Sequence, residues 1–585
     1  MKKIFQYLLM VGFIAMIAVT YLSFNLDRNV ELRHWLRDHF QREEKTPVTA
    51  GIFFLGTNSI HFLEGKVEDP YVDPEWLKDI NATYTIDKTE NILSIIWNGQ
   101  WIEIDRTGAY KENQEKREGK IRWGYQDGQV LIAVQDLNQV EGFKAMGLRT
   151  ITSEDGSQFI IQSETIDYKQ TKVLNKTYLF SSLDQLRRAG DLDSAPTIKA
   201  IFKTLELGDE IKKRDNVVAY PIGDDTAMIY NGRYVGYACT ESLESLYEGY
   251  VFLEDREDLY EKENPYDTPI FLVWEAVYAK NPKTENITGL NGVNVISPTW
   301  VELTSDMGEY TQKISKDYIN WNKQNNRDLW LLATNSFDPD LTQKFLQSAE
   351  GRKKFIEALI GLCLEHKIEG INIDFENVYM EDKDRLTHFV NELAWYCHKF
   401  DLTLSMDVTV MGGSDNWSKC YDREMLGKIV DYLIVMTYDE YWASSPISGP
   451  VSSLDWVETN IMKISEIVPS RKLILGLPFY TRVWTETISE QDANSVSVSS
   501  KAISLSAQND LIEEKGLTPI WNEQDGLFFV SYIEENSIKK IWVENETTLA
   551  MKAGLVNKLN LKGIAGWRRG LETPSVYPAL EQQLR

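Results

Sequence analysis

Cysteine is scarce. There are four in 585 residues, Cys239, Cys363, Cys397 and Cys420, and no two are spaced as C-x-x-C. That spacing excludes a zinc ribbon and argues against a disulfide framework. Cys363 and Cys397 lie in helical-looking segments, where a thiol is a small buried hydrophobe. Only six histidines are present and they are scattered, so we expect no metal site and no cofactor. Basic residues are under-represented, with 62 Lys and Arg against 88 Asp and Glu and a net charge of −26. Affinity for phosphate rests on Lys and Arg, so nucleic acid is excluded as a partner. The same deficit argues against electrostatic adhesion to an anionic membrane surface.

Long apolar runs are also lacking, with one exception. Residues 4–24 are apolar behind Lys2 and Lys3. Crossing the hydrocarbon core takes about 20 such residues, and the cationic flank stays in the cytoplasm. We read residues 1–26 as an uncleaved signal anchor, so the chain is a single-pass cell-membrane protein with its bulk outside. No clean small-x-small site follows the run. A cleaved signal peptide, which would make the protein secreted, is the rival reading. Residues 27–49 then form a polar linker.

Aromatic residues, by contrast, are plentiful at 11%. The chain is too long for one hydrophobic core, so several domains are expected. Residues 50–165 show short strands and tight turns. One unit runs through Tyr71-Val72, Trp76-Leu77 and Thr83-Tyr84-Thr85-Ile86. A second, about sixty residues later by its order of parts, runs through Val130-Leu131-Ile132 and Phe159-Ile160-Ile161. This resembles the wall-associated repeat module named after the amino-terminal domain of copper amine oxidases, without copper ligands. Strands continue through residues 166–253. There Met228-Ile229-Tyr230, the Asn231-Gly232 pair and Val235-Gly236-Tyr237 give a hairpin signal with a type I′ turn pair. The order resembles a bacterial SH3-like barrel. Residues 254–268 are acidic and hold Pro265, which marks a linker.

After Pro269 the pattern changes. Continuous apolar strands alternate with amphipathic helices, the sign of a parallel sheet. We read eight strands at 271–278, 292–296, 329–333, 370–376, 403–408, 432–438, 473–477 and 563–567. Residues 269–585 are therefore expected to be an α/β domain, a (β/α)8 TIM barrel. Residues 480–562 read as a small α+β insertion near its mouth. The modules in front of it are mainly β or α+β.

The segment Gly370-Ile371-Asn372-Ile373-Asp374-Phe375-Glu376 carries most of the functional information. A strand alternates faces with period two. Ile371, Ile373 and Phe375 should face the helices, while Asn372, Asp374 and Glu376 face into the barrel. Polar residues in register there are expensive to bury without a purpose. They climb toward the carboxyl end of the strand, where barrel active sites sit. Glu376 is placed to act as a general acid. Asp374, about 6–7 Å below it by strand rise, should raise its pKa. No second carboxylate stands as an obvious nucleophile, so the usual two-carboxylate scheme fits poorly.

This strand resembles the signature of glycoside hydrolase family 18, D-x-x-D-x-D-x-E. Glu369 stands where the first Asp lies and Asn372 where the middle one does. The form is similar to the subgroup of spore-cortex and cell-wall N-acetylglucosaminidases. The resemblance implies substrate-assisted, retaining catalysis. Glu376 would be the acid and later the base, and Asp374 would orient the 2-acetamido group. Asn372 cannot share a proton with Asp374, although its amide can hydrogen-bond to it. Met436-Thr437-Tyr438-Asp439 resembles the family's Met-x-Tyr-Asp, which implies that Tyr438 donates to the acetamido carbonyl. Met436 would lie at the site and Asp439 would contact a sugar hydroxyl. Trp567, closing Ala565-Gly566-Trp567, would be the floor under the cleaved sugar. Trp300, Trp442, Tyr480 and Trp484 follow strand ends and are candidate subsite aromatics. The family's Ser-x-Gly-Gly on the third strand is absent, and Leu332-Ala333-Thr334-Asn335 stands there instead.

The expected function is hydrolysis of β-1,4 bonds next to N-acetylglucosamine, in peptidoglycan or chitin-like glycans, by a monomer. Two other readings stay open. The barrel could bind glycan without cutting it, as chitin lectins of the family do, though those typically lose the acid. Alternatively, the front modules could carry the biological role by tethering the wall.

Overall fold

The computed structural model describes residues 49–54, 60–64, 71–72, 74–97, 99–126, 129–146, 148–152, 159–163, 170–172, 177–178, 210–211, 216–221, 226–230, 235–239, 259–260, 266–488 and 496–585. The apolar run at 4–24 and residues 27–48 of the linker read at 27–49 lie outside them, and Thr49 opens a strand. Among the described residues no helix is long and apolar enough to cross a membrane. The chain divides into two compact units, one of residues 1–80 and 119–255, the other of residues 81–118 and 256–585.

The first unit contains a four-stranded sheet in which Thr49–Phe54 lies between Ile60–Glu64 and Phe159–Ser163, with Leu148–Thr152 outermost. A second sheet pairs Asn216–Pro221, Thr226–Tyr230 and Val235–Cys239 antiparallel. The expected hairpin is therefore present, with Tyr230 opposite Val235. Its Asn231-Gly232 turn lies outside the described residues.

The second unit holds the barrel. Its strands are β1 (Ile270–Glu275), β2 (Val295–Leu303), β3 (Asp328–Thr334), β4 (Gly370–Asp374), β5 (Thr403–Thr409), β6 (Tyr432–Met436), β7 (Leu473–Pro478) and β8 (Gly563–Trp567). All eight pair in parallel, and β1 pairs with both β2 and β8, which closes the ring. The period-two reading holds: Ile371, Ile373 and Phe375 join the large core between strands and helices. The smaller inner core is built from Leu272, Trp274, Trp330, Leu332, Tyr432 and Ile434 and their neighbours. Residues 480–562 hold a five-stranded antiparallel sheet with helices Leu505–Glu514 and Glu546–Ala553, the α+β insertion the sequence suggests.

Two expectations about boundaries differ from the structure. Residues 81–118, assigned by sequence to the front module, group with the barrel. They form a five-stranded meander whose first strand, Thr83–Asp87, lies against helices of the barrel. Those helices are Pro339–Gln347 and α2 (Lys383–Lys399), which follows β4, while Asp87 reaches the first residue of α1 (Ala349–His366), which precedes β4. The second difference concerns the segment read as a linker. Leu259 is buried in the barrel's core. Tyr260 donates to Asn391 Oδ1 at 2.6 Å, and Tyr266 donates to Asp328 Oδ2 at 2.6 Å. These apolar and aromatic side chains fasten the entry to the barrel in spite of the acidic composition around them.

Candidate active site

β4 places Asn372 and Asp374 inside the barrel, both buried, and Glu376 just past the strand end, partly buried. The lower level is a hydrogen-bonded knot. The Asn372 side-chain oxygen accepts from Trp274 Nε1 at 3.0 Å and from Ser297 Oγ at 2.9 Å. Its amide nitrogen donates to Asp407 Oδ1 at 2.8 Å. This corrects the expectation that the Asn372 amide serves Asp374: the amide is aimed at strand five instead.

Asp407 is the residue the sequence reading missed. It is 1% exposed on β5. The register Ile373↔Met406, continued by one residue, sets Asp407 beside Asp374, one strand spacing of about 4.8 Å away. The signal was available in Thr403, Ser405 and Asp407, polar residues alternating with Leu404, Met406 and Val408, which join the outer core. Three carboxyls thus share one small volume. Burial pushes Asp374 up to about 7. Burial, then the Asp374 and Asp439 charges, push Glu376 well above the carboxylate range. Burial and the Asp374 charge do the same to Asp407. Like charges this close cannot all ionise at neutral pH, so Glu376 keeps its proton. Asp374 Oδ1 is buried and has no hydrogen-bond partner among protein groups.

Strand six supplies the opposite wall. Met436 is 8% exposed and lies on the inner face, between Ile434 and Tyr438 by alternation. The Tyr438 ring meets Tyr480 edge-on at 6.3 Å. Burial and the carboxyls around it keep the Tyr438 phenol protonated, so it can only be a donor when a carbonyl approaches. Its ring lies close to Gly476, where a Cβ would stand 2.7 Å from Val435 O and 3.4 Å from Tyr438 Cε1. Asp439 accepts from Tyr480 OH at 2.8 Å and from Arg482 Nη2 at 3.0 Å. Tyr480 and Arg482 belong to the first strand of the insertion, which therefore helps to form the mouth. The Trp567 ring packs edge-on at 5.8 Å against Trp274, whose indole nitrogen donates to Asn372. Trp442 is 54% exposed on the loop after β6, open to a ligand.

Trp300 does not join the site. It is 1% exposed in the outer core, meets Tyr318 edge-on at 6.1 Å and donates to Asn281 Oδ1 at 2.7 Å. The sequence reading ended strand two at residue 296, but β2 continues to Leu303 with a register shift between Thr299 and Val301. Alternation continued along β2 from Ile296, which joins the outer core, puts Trp300 on the face turned toward the helices. Trp484 is also fully buried. We expect Trp300→Phe to cost about 1–2 kcal/mol of stability through its lost hydrogen bond, with KM for glycan unchanged. Trp567→Ala should raise KM about tenfold, equivalent to 1.4 kcal/mol. Steady-state kinetics and thermal melts of the two variants check both statements. Equal effects on KM would contradict the placement.

With this geometry in place, comparison with known proteins is decisive on one point. Residues 302–572 match the sequence model of glycosyl hydrolases family 18. The barrel is a glycoside hydrolase domain of family 18. The family 18 domain is 28% identical over 262 residues to the uncharacterized glycosylase YvbX of Bacillus subtilis, a match covering 43% of this chain and 71% of that one. It is 24% identical over 270 residues to the cortical fragment-lytic enzyme of the same organism, covering 44% of this chain and 60% of the relative. A solved spore cortex-lytic enzyme of Bacillus megaterium, SleL, aligns at a TM-score of 0.49 and 19% identity over 55% of this chain and 76% of that one. No metal-binding group of His, Cys, Asp or Glu occurs among the described residues, and Cys363, Cys397 and Cys420 are buried free thiols.

Proposed function

We propose that the chain is a membrane-anchored hydrolase that cleaves β-1,4 bonds next to N-acetylglucosamine in cell-wall peptidoglycan, by substrate-assisted catalysis with retention. The observation that carries this reading is the vertical pair at the end of β4: a protonated acid, Glu376, above the buried Asp374 carboxyl, whose Oδ1 has no protein partner. Glu376 gives its proton to the glycosidic oxygen as the bond from that oxygen to the anomeric carbon breaks. The acetamido oxygen forms the new bond to that carbon. Asp374 accepts the acetamido N–H and its charge balances the oxazolinium ion. Tyr438 donates to the acetamido oxygen and holds it for attack. Glu376, now a carboxylate, takes a proton from the water that opens the ring, which restores the starting state.

Peptidoglycan is favoured over chitin by the apolar run at 4–24, which would hold the enzyme at the cell surface, and by the wall-type character of the front modules. Related cortical fragment-lytic enzymes support the same substrate class. The test is release of reducing ends from purified peptidoglycan and from N-acetylglucosamine oligomers by the full chain in detergent, beside Glu376→Gln. Binding without release by either protein would replace this reading with that of a lectin. Release from chitin oligomers alone would move the substrate.

Asp374 also ties function to stability. Its folded pKa is raised, so the unfolded state holds fewer protons than the folded one above about pH 4. Stability associated with the protonated form is therefore lost as pH rises from about 4 toward 7. Asp374→Asn removes that loss. We expect it to raise the melting temperature by about 2–5 °C at pH 7.5 while lowering kcat at least about 100-fold. Calorimetry at pH 5 and 7.5 checks the sign, since the gain should shrink at the lower pH.

A further inference from the structure

Where the family motif of the third strand is missing, Asn335 does something specific. β3 stays in register with β4 through Thr334↔Asp374, and β4 ends at that residue. One step further, the ladder is continued by a side chain. Asn335 Nδ2 donates to Glu376 O at 2.7 Å, and Glu376 N donates to Asn335 Oδ1 at 3.1 Å. Both backbone groups of the acid's own residue are thus held by one amide. The amide is fixed in turn, because its nitrogen also donates to Thr342 Oγ1 at 2.9 Å and Thr342 Oγ1 donates to Asp338 O at 2.6 Å. Asn335 is fully buried, so water does not compete for these bonds.

The backbone is strained to achieve this. Ser336 and Phe337 follow with φ of 57° and 53°, two successive left-handed residues that each cost about 1 kcal/mol or more. They are held by Ser336 Oγ donating to Leu303 O at 2.6 Å and by Asn377 Nδ2 donating to Phe337 O at 3.0 Å. On the strand-five side, Tyr421 OH donates to Phe375 O at 2.9 Å. The Glu376 peptide is gripped by the segments that follow both neighbouring strands, at the point where β4 leaves the sheet.

We propose that Asn335 is a positioning residue for the catalytic acid, clamping the Glu376 peptide so that its carboxyl stands at one fixed height above Asp374. The kinetic part rests on the function proposed above; the clamp itself does not. A carboxyl free to drift by an ångström loses about 100-fold in rate, because proton transfer needs the leaving oxygen within hydrogen-bond reach. The sugar contacts of Tyr438, Asp439 and Trp567 stay intact, so KM should not move with it.

The experiment uses the full chain in detergent with Asn335→Ala, the isosteric Asn335→Asp, and Thr342→Val, which removes only the support of the amide. Two readouts are taken: steady-state kinetics on N-acetylglucosamine oligomers, and hydrogen exchange of the peptide spanning residues 370–378. Expected are a fall in kcat of about 10- to 100-fold for both Asn335 variants with KM within about threefold, and about two- to fivefold for Thr342→Val. Exchange at the Glu376 amide should quicken about tenfold or more in Asn335→Ala, which removes its acceptor. Asn335→Asp keeps the shape and the acceptor but loses both donors. If Asn335→Ala fails to fold, Asn335→Asp and Thr342→Val decide. The proposal is overturned if folded variants keep kcat within twofold of the parent, if the loss falls in KM instead, or if exchange is unchanged in Asn335→Ala. A parent that releases no product defeats the functional reading, and the exchange measurement then judges the clamp alone.

Discussion

Glu376→Gln is expected to lower kcat by about 1,000-fold or more, with KM for N-acetylglucosamine oligomers changed less than about threefold. The amide is isosteric and can still donate a hydrogen bond to the glycosidic oxygen, so binding survives. It cannot release a proton, so the leaving group departs as an alkoxide. The same charges that make the acid useful also set its pH dependence. Glu376 must be protonated, and burial with the Asp374 and Asp439 charges holds it so. Asp374 must be ionised to face the oxazolinium ion, and burial puts its pKa near 7. The profile of kcat/KM should therefore be bell-shaped. Its acid limb belongs to the carboxyl cluster and lies above the range of an ordinary Asp. Small-molecule rescue offers a sharper check than activity loss alone. Activated aryl glycosides, whose leaving groups need no proton, should recover most of the lost rate in Glu376→Gln and none of it in Asp374→Asn. A Gln variant that hydrolyses unactivated oligomers within tenfold of the parent would remove Glu376 from its role, whatever its position in the barrel.

The placement of that acid was readable from sequence because a strand repeats every two residues and a barrel interior is apolar by default. Asn372, Asp374 and Glu376 broke that default in register. The same rule applied to β5 would have exposed Asp407, but a lone Asp between Met406 and Val408 is a weak signal without a partner. Its partner, Asn372, comes from a neighbouring strand, and the register that joins them is a tertiary fact. Trp300 failed for a different reason. Strand two was ended at residue 296, so Trp300 passed for a loop residue, whereas β2 runs on to Leu303 and alternation from Ile296 turns Trp300 outward. Asn335 was noticed only as a departure from a motif, since an amide that continues a ladder by its side chain has no pattern along the chain. The docking of residues 81–118 on the barrel was also invisible, because the groups it joins lie some three hundred residues apart.

That docking surface gives the largest stability effect we expect. Between the meander and the helices flanking β4 lies a fully buried polar cluster. Arg352 clasps Glu392 with two of its three nitrogens, Nε to Oε2 at 2.7 Å and Nη2 to Oε1 at 3.0 Å, and Nη1 donates to Leu346 O at 2.7 Å. His388 Nε2 lies 3.2 Å from Glu392 Oε1 and 2.9 Å from Ser94 Oγ, while its Nδ1 lies 3.0 Å from Thr83 Oγ1. Asp87 of the same meander accepts from Ala349 N at 2.8 Å, capping α1. Arg352, Glu392, His388 and Ser94 are all at most 3% exposed. Arg352→Met strands the Glu392 charge in this interior, and the expected cost is about 3–5 kcal/mol. Arg352→Met with Glu392→Leu should recover part of it, because the orphaned charge goes too; the Leu346 carbonyl loses its Arg352 bond in either variant, and the second change adds only the contacts of His388 and Ser94 to Glu392. The pH dependence follows from two depressed pKa values. Burial disfavours the His388 cation and lowers its pKa. Glu392 is held at about 2, although burial opposes this, by the Arg352 charge and then by His388. Both groups bind fewer protons folded than unfolded, so the parent loses stability as pH falls below about 6.5 and again below about 4.3. Arg352→Met removes the main cause of the low Glu392 value, so its melting temperature should fall less steeply than the parent's between pH 4 and pH 2 while lying lower at pH 7. Thermal unfolding by circular dichroism across that range decides it. A single variant within 1 °C of the parent at pH 7, or a double variant worse than the single, would mean that the meander is held to the barrel by its apolar contacts, such as Trp101 against Trp395, and that the ion pair contributes little.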